Sequence, residues 1–142
     1  MNELEIARKR AAAMSATDAA SKGIGISIEV TGVGKAEARV DVTADMINGF
    51  DVCHGGYIFT LADTAFAVAC NTHDKVTVAG GASIDFLRPA KVGDQLLAIA
   101  MERHRGGRSG LYEVTVTNQN GEDVAVFTGR SVATRQSLLS DD

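Results

Sequence analysis

What the chain lacks narrows its class before any motif is considered. Among its 142 residues there are only two cysteines, Cys53 and Cys70, and they form no CxxC pair. Two such residues cannot make a disulfide framework, so a reducing, cytoplasmic setting is expected. Three histidines occur, with no HxH or HxxxH spacing, and no metal site is expected. Proline is nearly absent, Pro89 being the single one, and tryptophan is missing altogether. No apolar run reaches the ~20 residues of a membrane span. The longest, Tyr57–Cys70, has 14 residues and is interrupted by Asp63. The opening MNELEIARKR has no apolar stretch of the kind that marks a secretory leader. Basic excess is also lacking: Lys plus Arg is 14 against 18 for Asp plus Glu, a net charge of −4. Nucleic-acid binding is dominated by phosphate neutralisation, so a nucleic-acid partner is not expected.

What remains is an ordinary globular composition, 45% hydrophobic and 23% charged, with an unusual 15 glycines. The length suits one domain over residues 1–142. Residues 3–20 read as one polar, Ala-rich helix. Ile24, Ile26, Ile28 and Val30 then alternate with small or polar residues, and Ala36, Ala38, Val40 and Val42 do so beyond Gly32 and Gly34. Period two on both sides of a Gly-rich turn predicts a hairpin. A loop over 44–53 leads to an apolar helix beginning near His54. Four strand-like runs follow at about 76–87, 94–104, 110–118 and 123–134, divided by Pro89 with Gly93, Gly106-Gly107 and Asn120-Gly121. Gln136 to Asp142 reads as a frayed tail. Strands joined by short turns favour an antiparallel sheet, and segregated helices make the class α+β.

The central helix carries the chemistry. Eleven of the 14 residues from Tyr57 to Cys70 are apolar or Ala, which predicts a buried helix wrapped by the sheet. Its polar exceptions, Thr60, Asp63 and Thr64, share one face with Gly56 and Ala67. A carboxylate on such a helix is either bonded to a neighbouring group or held as a desolvated base or nucleophile. Cys53-His54-Gly55-Gly56 puts two glycines where helix amides lack intrahelical partners and carry the positive end of the dipole. Such amides suit a developing oxyanion, although a Gly-rich entry also serves packing alone. His54 by itself reads first as a structural hydrogen-bonding residue. Cys53 reads as a small apolar packing residue.

Asn48-Gly49, Cys53-His54-Gly55-Gly56, Phe59, Leu61-Ala62-Asp63-Thr64-Ala65-Phe66-Ala67 and Ala69-Cys70-Asn71 together resemble the hotdog-fold acyl-CoA thioesterases. The PaaI-type phenylacetyl-CoA thioesterases are the nearest likeness. Ile84-Asp85-Phe86-Leu87-Arg88-Pro89-Ala90 with Gly93-Asp94 is similar too, and the likeness runs over nearly the whole chain. The resemblance implies Asp63 as general base or nucleophile, the Gly55 amide as the group polarising the thioester carbonyl, and Asn48 and His54 as supporting catalytic residues. Gly56 and Thr64 on the polar face, and Arg88 and Arg108 as phosphate contacts, are candidate substrate-binding residues. Relatives outside the subgroup place a hydroxyl early in the strand after the helix. Here Val78-Ala79-Gly80-Gly81 has none, which implies a roomier acyl pocket. The implied substrate is a small aromatic acyl-CoA, phenylacetyl or hydroxylated. Coenzyme A would be a product, and no cofactor is implied. A hotdog hydratase and a non-catalytic acyl-CoA binder stay open as alternatives. Gly55 and Asp63 lie eight residues apart, roughly 12 Å along a helix. If both act on one thioester, they must come from different subunits, so a homodimer with composite sites, or a homotetramer, is expected.

Overall fold

The computed structural model describes residues 1–139. Helix α1 spans Glu3–Ser15, with the Asn2 side chain accepting from the Glu5 amide and two acids in the first turn. The single helix expected over 3–20 is in fact two. Asp18 caps a second helix, α2, at Ala19–Gly23, so the chain breaks at residues 16–18. Gly25 then adopts a left-handed φ of 80°, and the first strand begins later than the alternation suggested. Strands β1 (Ser27–Gly32) and β2 (Lys35–Asp41) form the expected hairpin, turning through Gly34 at φ 73°. The 44–53 loop contains one 3₁₀ turn, Ala44–Met46.

Helix α3 runs Gly55–Cys70. It is followed by β3 (Lys75–Phe86), β4 (Gln95–Gly106), β5 (Ser109–Thr117) and β6 (Asp123–Ser137). The last strand is longer than expected. Ser137 pairs with Lys75, so Gln136 and Ser137 are strand and not tail. Residues 140–142 of the expected tail lie outside the described residues. All six strands are antiparallel in one sheet, ordered β1-β2-β4-β5-β6-β3.

The sheet curls around α3, as the all-round apolarity of that helix requires. Alanines on β2 and β4 (Ala36, Ala38, Ala98, Ala100) let the helix lie close, and all four are buried. Phe66 of α3 packs edge-on against Tyr112 at 5.5 Å and tilts against Phe127 at 5.7 Å. Gly129 is required beneath it, because a Cβ there would come within 2.8 Å of the Phe66 ring. The C-terminal end of α3 is fastened by buried Asn71. Its side-chain nitrogen donates to the Ala67 and Thr77 carbonyls, and its oxygen accepts from the Thr77 amide.

Candidate active site

Two features of α3 remain unsatisfied once the fold is formed. The first is at its N-terminus. His54 is the N-cap, and its Nδ1 accepts from the Gly56 amide at 3.0 Å. The ring hydrogen of the neutral imidazole is therefore on Nε2. The His54 amide donates to the Met46 carbonyl at 2.7 Å, and the Cys53 amide to that of Ala90 at 2.7 Å. These bonds fix the helix entry and leave the Gly55 amide with no acceptor among the described residues. The Phe86 ring lies directly over Gly55, where a Cβ would come within 2.9 Å. Glycine is thus imposed by a close approach.

Val52, Cys53, Gly55, Ile58 and the run Phe86–Pro89 line a cavity of about 470 Å³ beside that amide. Its wall is largely apolar, with Arg88 at its rim. The Arg88 guanidinium pairs with Glu122 at 3.2 Å, an exposed contact. Asn48 sits in the preceding loop. Its Oδ1 accepts from the Phe50 amide at 2.8 Å and the Val52 amide at 3.4 Å, while the Asn48 amide donates to the Val52 carbonyl. Asn48 therefore builds the tight turn that carries Asp51 at φ 63° and leaves Phe50 88% exposed.

The second unsatisfied group is Asp63. It is half-buried on the outer face of α3, and its carboxylate makes no hydrogen bond or ion pair among the described residues. Burial pushes its pKa above the ordinary 3.8, and the negative charge of Asp18 pushes in the same direction. The hydroxyls of Thr60 and Thr64 are engaged within α3. Thr60 donates to the Gly56 carbonyl and Thr64 to that of Thr60, and Thr64 is only 7% exposed. Cys53 and Cys70 are both buried. Burial raises both thiols, that of Cys70 to about 12, so neither offers a thiolate.

The geometry thus gathers Asn48, His54, Gly55, Gly56 and Arg88 at one end of α3. Asp63 stands two turns away, and Arg108 lies at the β4–β5 turn, at the other end of the sheet. Four neighbours escaped the sequence reading. Phe86 reaches Gly55 only through the path of β3. Asp18 and Ser21 approach α3 because α2 is a separate helix, a break that the Asp18-Ala-Ala-Ser cap pattern does signal. Arg130 reaches across to the Gly80 carbonyl at 2.7 Å, a contact that no local pattern announces. Among the described residues no cluster of three or more potential metal ligands occurs, and no helix is long and apolar enough to cross a membrane.

A single antiparallel sheet wrapped around one apolar helix, with an N-terminal helix added, is the hotdog arrangement. A family model described as the thioesterase superfamily matches residues 50–125. The acyl-coenzyme A thioesterase PaaI of Escherichia coli is 46% identical over 123 residues, 87% of this chain and 88% of that protein. The structure of the E. coli PaaI protein from the phenylacetic acid degradation operon matches with a TM-score of 0.93 and 43% identity. That match covers 96% of this chain and 99% of the other. A Streptococcus mutans protein solved bound to acetyl CoA matches with a TM-score of 0.74 and 30% identity, covering 78% and 89%. The chain belongs to the thioesterase superfamily, as a hotdog-fold thioester hydrolase of the PaaI type.

Proposed function

We propose that this chain hydrolyses acyl-CoA thioesters whose acyl group is small and aromatic, phenylacetyl or a hydroxylated relative. The observation that carries the reading is the unpartnered Gly55 amide at the N-terminus of α3, opening on an apolar cavity under the Phe86 ring. An amide in that position donates to the thioester oxygen as it gains negative charge, with the helix dipole behind it. His54 supports this by taking the Gly56 amide, and Asn48 by holding the loop that bears Cys53 and His54. Asp63 removes a proton from water, whose oxygen attacks the carbonyl carbon. Alternatively its carboxylate attacks first, and water then opens the resulting anhydride. In either route the carbon–sulfur bond breaks, and coenzyme A leaves as thiolate and takes up a proton. The acid product and coenzyme A account for all atoms without a metal or redox group.

One chain does not supply the whole site. Eight residues of α3 separate Gly55 from Asp63, about 12 Å, whereas both must reach one carbonyl group to within ~3 Å. A homodimer resolves the distance by pairing Gly55, His54 and Asn48 of one copy with Asp63 of the other. The edge strand β3 supports such a pairing. Among the described residues β6 is its one neighbour in the sheet, and residues 78–83 of β3 are exposed on the free side, including Val78. A bare edge of that length invites another strand. In a two-fold dimer both sites are equivalent, and two dimers give the expected tetramer. Arg108, remote from Gly55 within one chain, would contact coenzyme A phosphates only from such an assembly.

Free-thiol release from phenylacetyl-CoA tests the reading. Wild type turns over, Asp63→Asn does not, and phenylacetyl-CoA exceeds palmitoyl-CoA in kcat/KM. A protein that binds the thioester without releasing thiol would be a binder and not an enzyme. Co-refolding Asp63→Ala with an inactive Gly55→Val chain tests the shared site. Random pairing leaves one intact site in half of the dimers and restores about a quarter of wild-type activity.

A further inference from the structure

Phe86 is the last inward side chain of β3. In the β3–β6 ladder Ile84 stands opposite Phe127, and Phe86 opposite Ala125. Directly opposed residues share a face of the sheet. Phe127 packs on Phe59 and Phe66 of α3, and Ala125 is buried with it. Ile84 accordingly packs against the core. Phe86, one step further on the same face, is 53% exposed. Its place is nevertheless fixed from both sides. The Leu87 and Arg88 amides donate to the Val124 carbonyl at 2.9 and 3.3 Å, and the Cys53 amide donates to the Ala90 carbonyl, tying this segment to the entry of α3. Three ring carbons come within 2.9, 3.3 and 3.4 Å of where a Gly55 Cβ would stand, one bond from the carbon that bears the Gly55 amide.

We propose that Phe86 is a specificity-determining residue: its ring is the face on which the acyl group lies while the carbonyl oxygen rests on the Gly55 amide, and it favours a flat aryl group over a flexible chain. The inference rests on that amide receiving the thioester oxygen. An oxygen within ~3 Å of the amide brings the groups bonded to the same carbonyl up to the ring. Two groups are bonded there, the acyl group and the sulfur of coenzyme A, and the cavity wall decides between them. The side chains of Val52, Ile58, Phe86, Leu87 and Pro89 present only carbon, and Arg88, at the rim, is already paired with Glu122. The arm of coenzyme A next to its sulfur carries amides and a hydroxyl, which would lose water against that wall and gain no side-chain partner. An aryl group has no such bonds to lose. A second ring meets Phe86 edge-on or offset, an arrangement worth more than its area burial, and it gives up fewer torsions than an alkyl chain when held. Backbone bonds hold the Phe86 ring in place with half of its surface bare, and the acyl group supplies the missing contact.

The readout is the ratio of kcat/KM for phenylacetyl-CoA to that for hexanoyl-CoA, two thioesters that share the coenzyme A arm. Phe86→Leu should lower this ratio roughly ten-fold, and Phe86→Ala at least as far. Phe86→Tyr, which keeps the ring, should hold the ratio to within about two-fold of wild type. Phe86→Met repeats the test should the leucine chain fold poorly. A loss shared equally by both substrates leaves the ratio unmoved and overturns the inference, because the ring then serves the common arm or the packing of Gly55. A ratio that falls as far in Phe86→Tyr as in Phe86→Leu overturns it too. A wild type that prefers hexanoyl-CoA sinks the aryl substrate proposed above, whereas the role of Phe86 stands or falls on whether the ratio drops in Phe86→Leu. If wild type releases no thiol, the same ratio is taken from the Kd values of the two ketone analogues in which a methylene separates sulfur from the carbonyl, measured by calorimetry.

Discussion

The two ends of α3 solve opposite problems. At the C-terminal end the side chains of Asn71, Thr72 and Glu102 are all engaged, while Arg10, which donates to the Thr72 carbonyl, keeps its Nε without a partner among the described residues. Asn71 ties α3 to β3, Thr72 Oγ1 donates to the Ala69 carbonyl and accepts from the Gly34 amide, and Glu102 gathers Tyr112 and His73 at 2.7 Å each. At the N-terminal end the Gly55 amide is left without an acceptor among the described residues, beside a cavity and the exposed side chains of Phe50, Phe86 and Leu87. Buried donors are normally paired, and apart from Arg10 Nε the closed end follows that rule. The open end departs from it where a ligand would supply the missing acceptor. Stability and chemistry are thereby separated along one 16-residue helix.

The sharpest way to break this comparison is through Asp63. Asp63→Asn should lower kcat by roughly 10²–10⁴-fold, the usual worth of a positioned base. It should not destabilise the fold. A carboxyl whose folded pKa is raised costs stability once it ionises, so the neutral variant should melt at an equal or higher temperature near neutral pH. A marked fall in melting temperature would mean that Asp63 belongs to the scaffold.

Asn71→Ala probes the opposite end. It leaves the Thr77 amide and carbonyl without their partner at a position 2% exposed. A loss of about 2 kcal/mol is expected, with Tm lower by roughly 5–10 °C. kcat measured well below Tm should stay within about two-fold of wild type. A large kinetic defect in the folded variant would show that the two ends are coupled.

Gly55→Ala should lower kcat roughly ten-fold or more, because its methyl meets the Phe86 ring and displaces the amide. Phe86→Leu in the same chain should recover part of the rate if the ring is the obstacle. If the double variant is no better than Gly55→Ala, crowding by Phe86 is not the cause.

The smallest effect concerns pH. Burial disfavours the Glu102 charge, but the bonds from Tyr112 and His73, with the nearby charges of His73 and Arg105, outweigh it and hold the carboxyl below its ordinary 4.5. Its contribution is complete above that value and fades as pH falls through the lower, folded one. Glu102→Gln should flatten the acid side of the stability curve slightly, which chemical denaturation at several pH values would measure.

Much of this was legible from residues alone because the signals were local. The apolar run from Tyr57, the glycines before it and the spacing of Thr60, Asp63 and Thr64 fix α3 and its polar stripe without reference to the rest of the chain. Strand bounds came within a few residues for the same reason. The misses were of two kinds. An Ala-rich stretch hid the Asp18 cap, so α1 and α2 were read as one helix. Gln136–Ser137 has the composition of a tail and is held as strand by pairing with residues some 60 positions away. The placing of Arg88 and Arg108 at opposite ends, and of Phe86 over Gly55, depends on strand order, which periodicity does not encode.

That strand order also dictates when the molecule can be completed. β3 follows α3 after only four residues, yet its one neighbour in the sheet is β6, the last strand of the chain. As the polypeptide leaves the ribosome, α3 and β1–β2 are available long before β3 has anything to pair with. The ring that sits on Gly55 belongs to β3, so the helix entry takes its final form only when the C-terminal strand arrives. Sheets closed by such distant pairings fold on the millisecond-to-second scale, and not in microseconds. Until then, β3 and the outer wall of α3 are the surfaces most open to association with other unfinished chains.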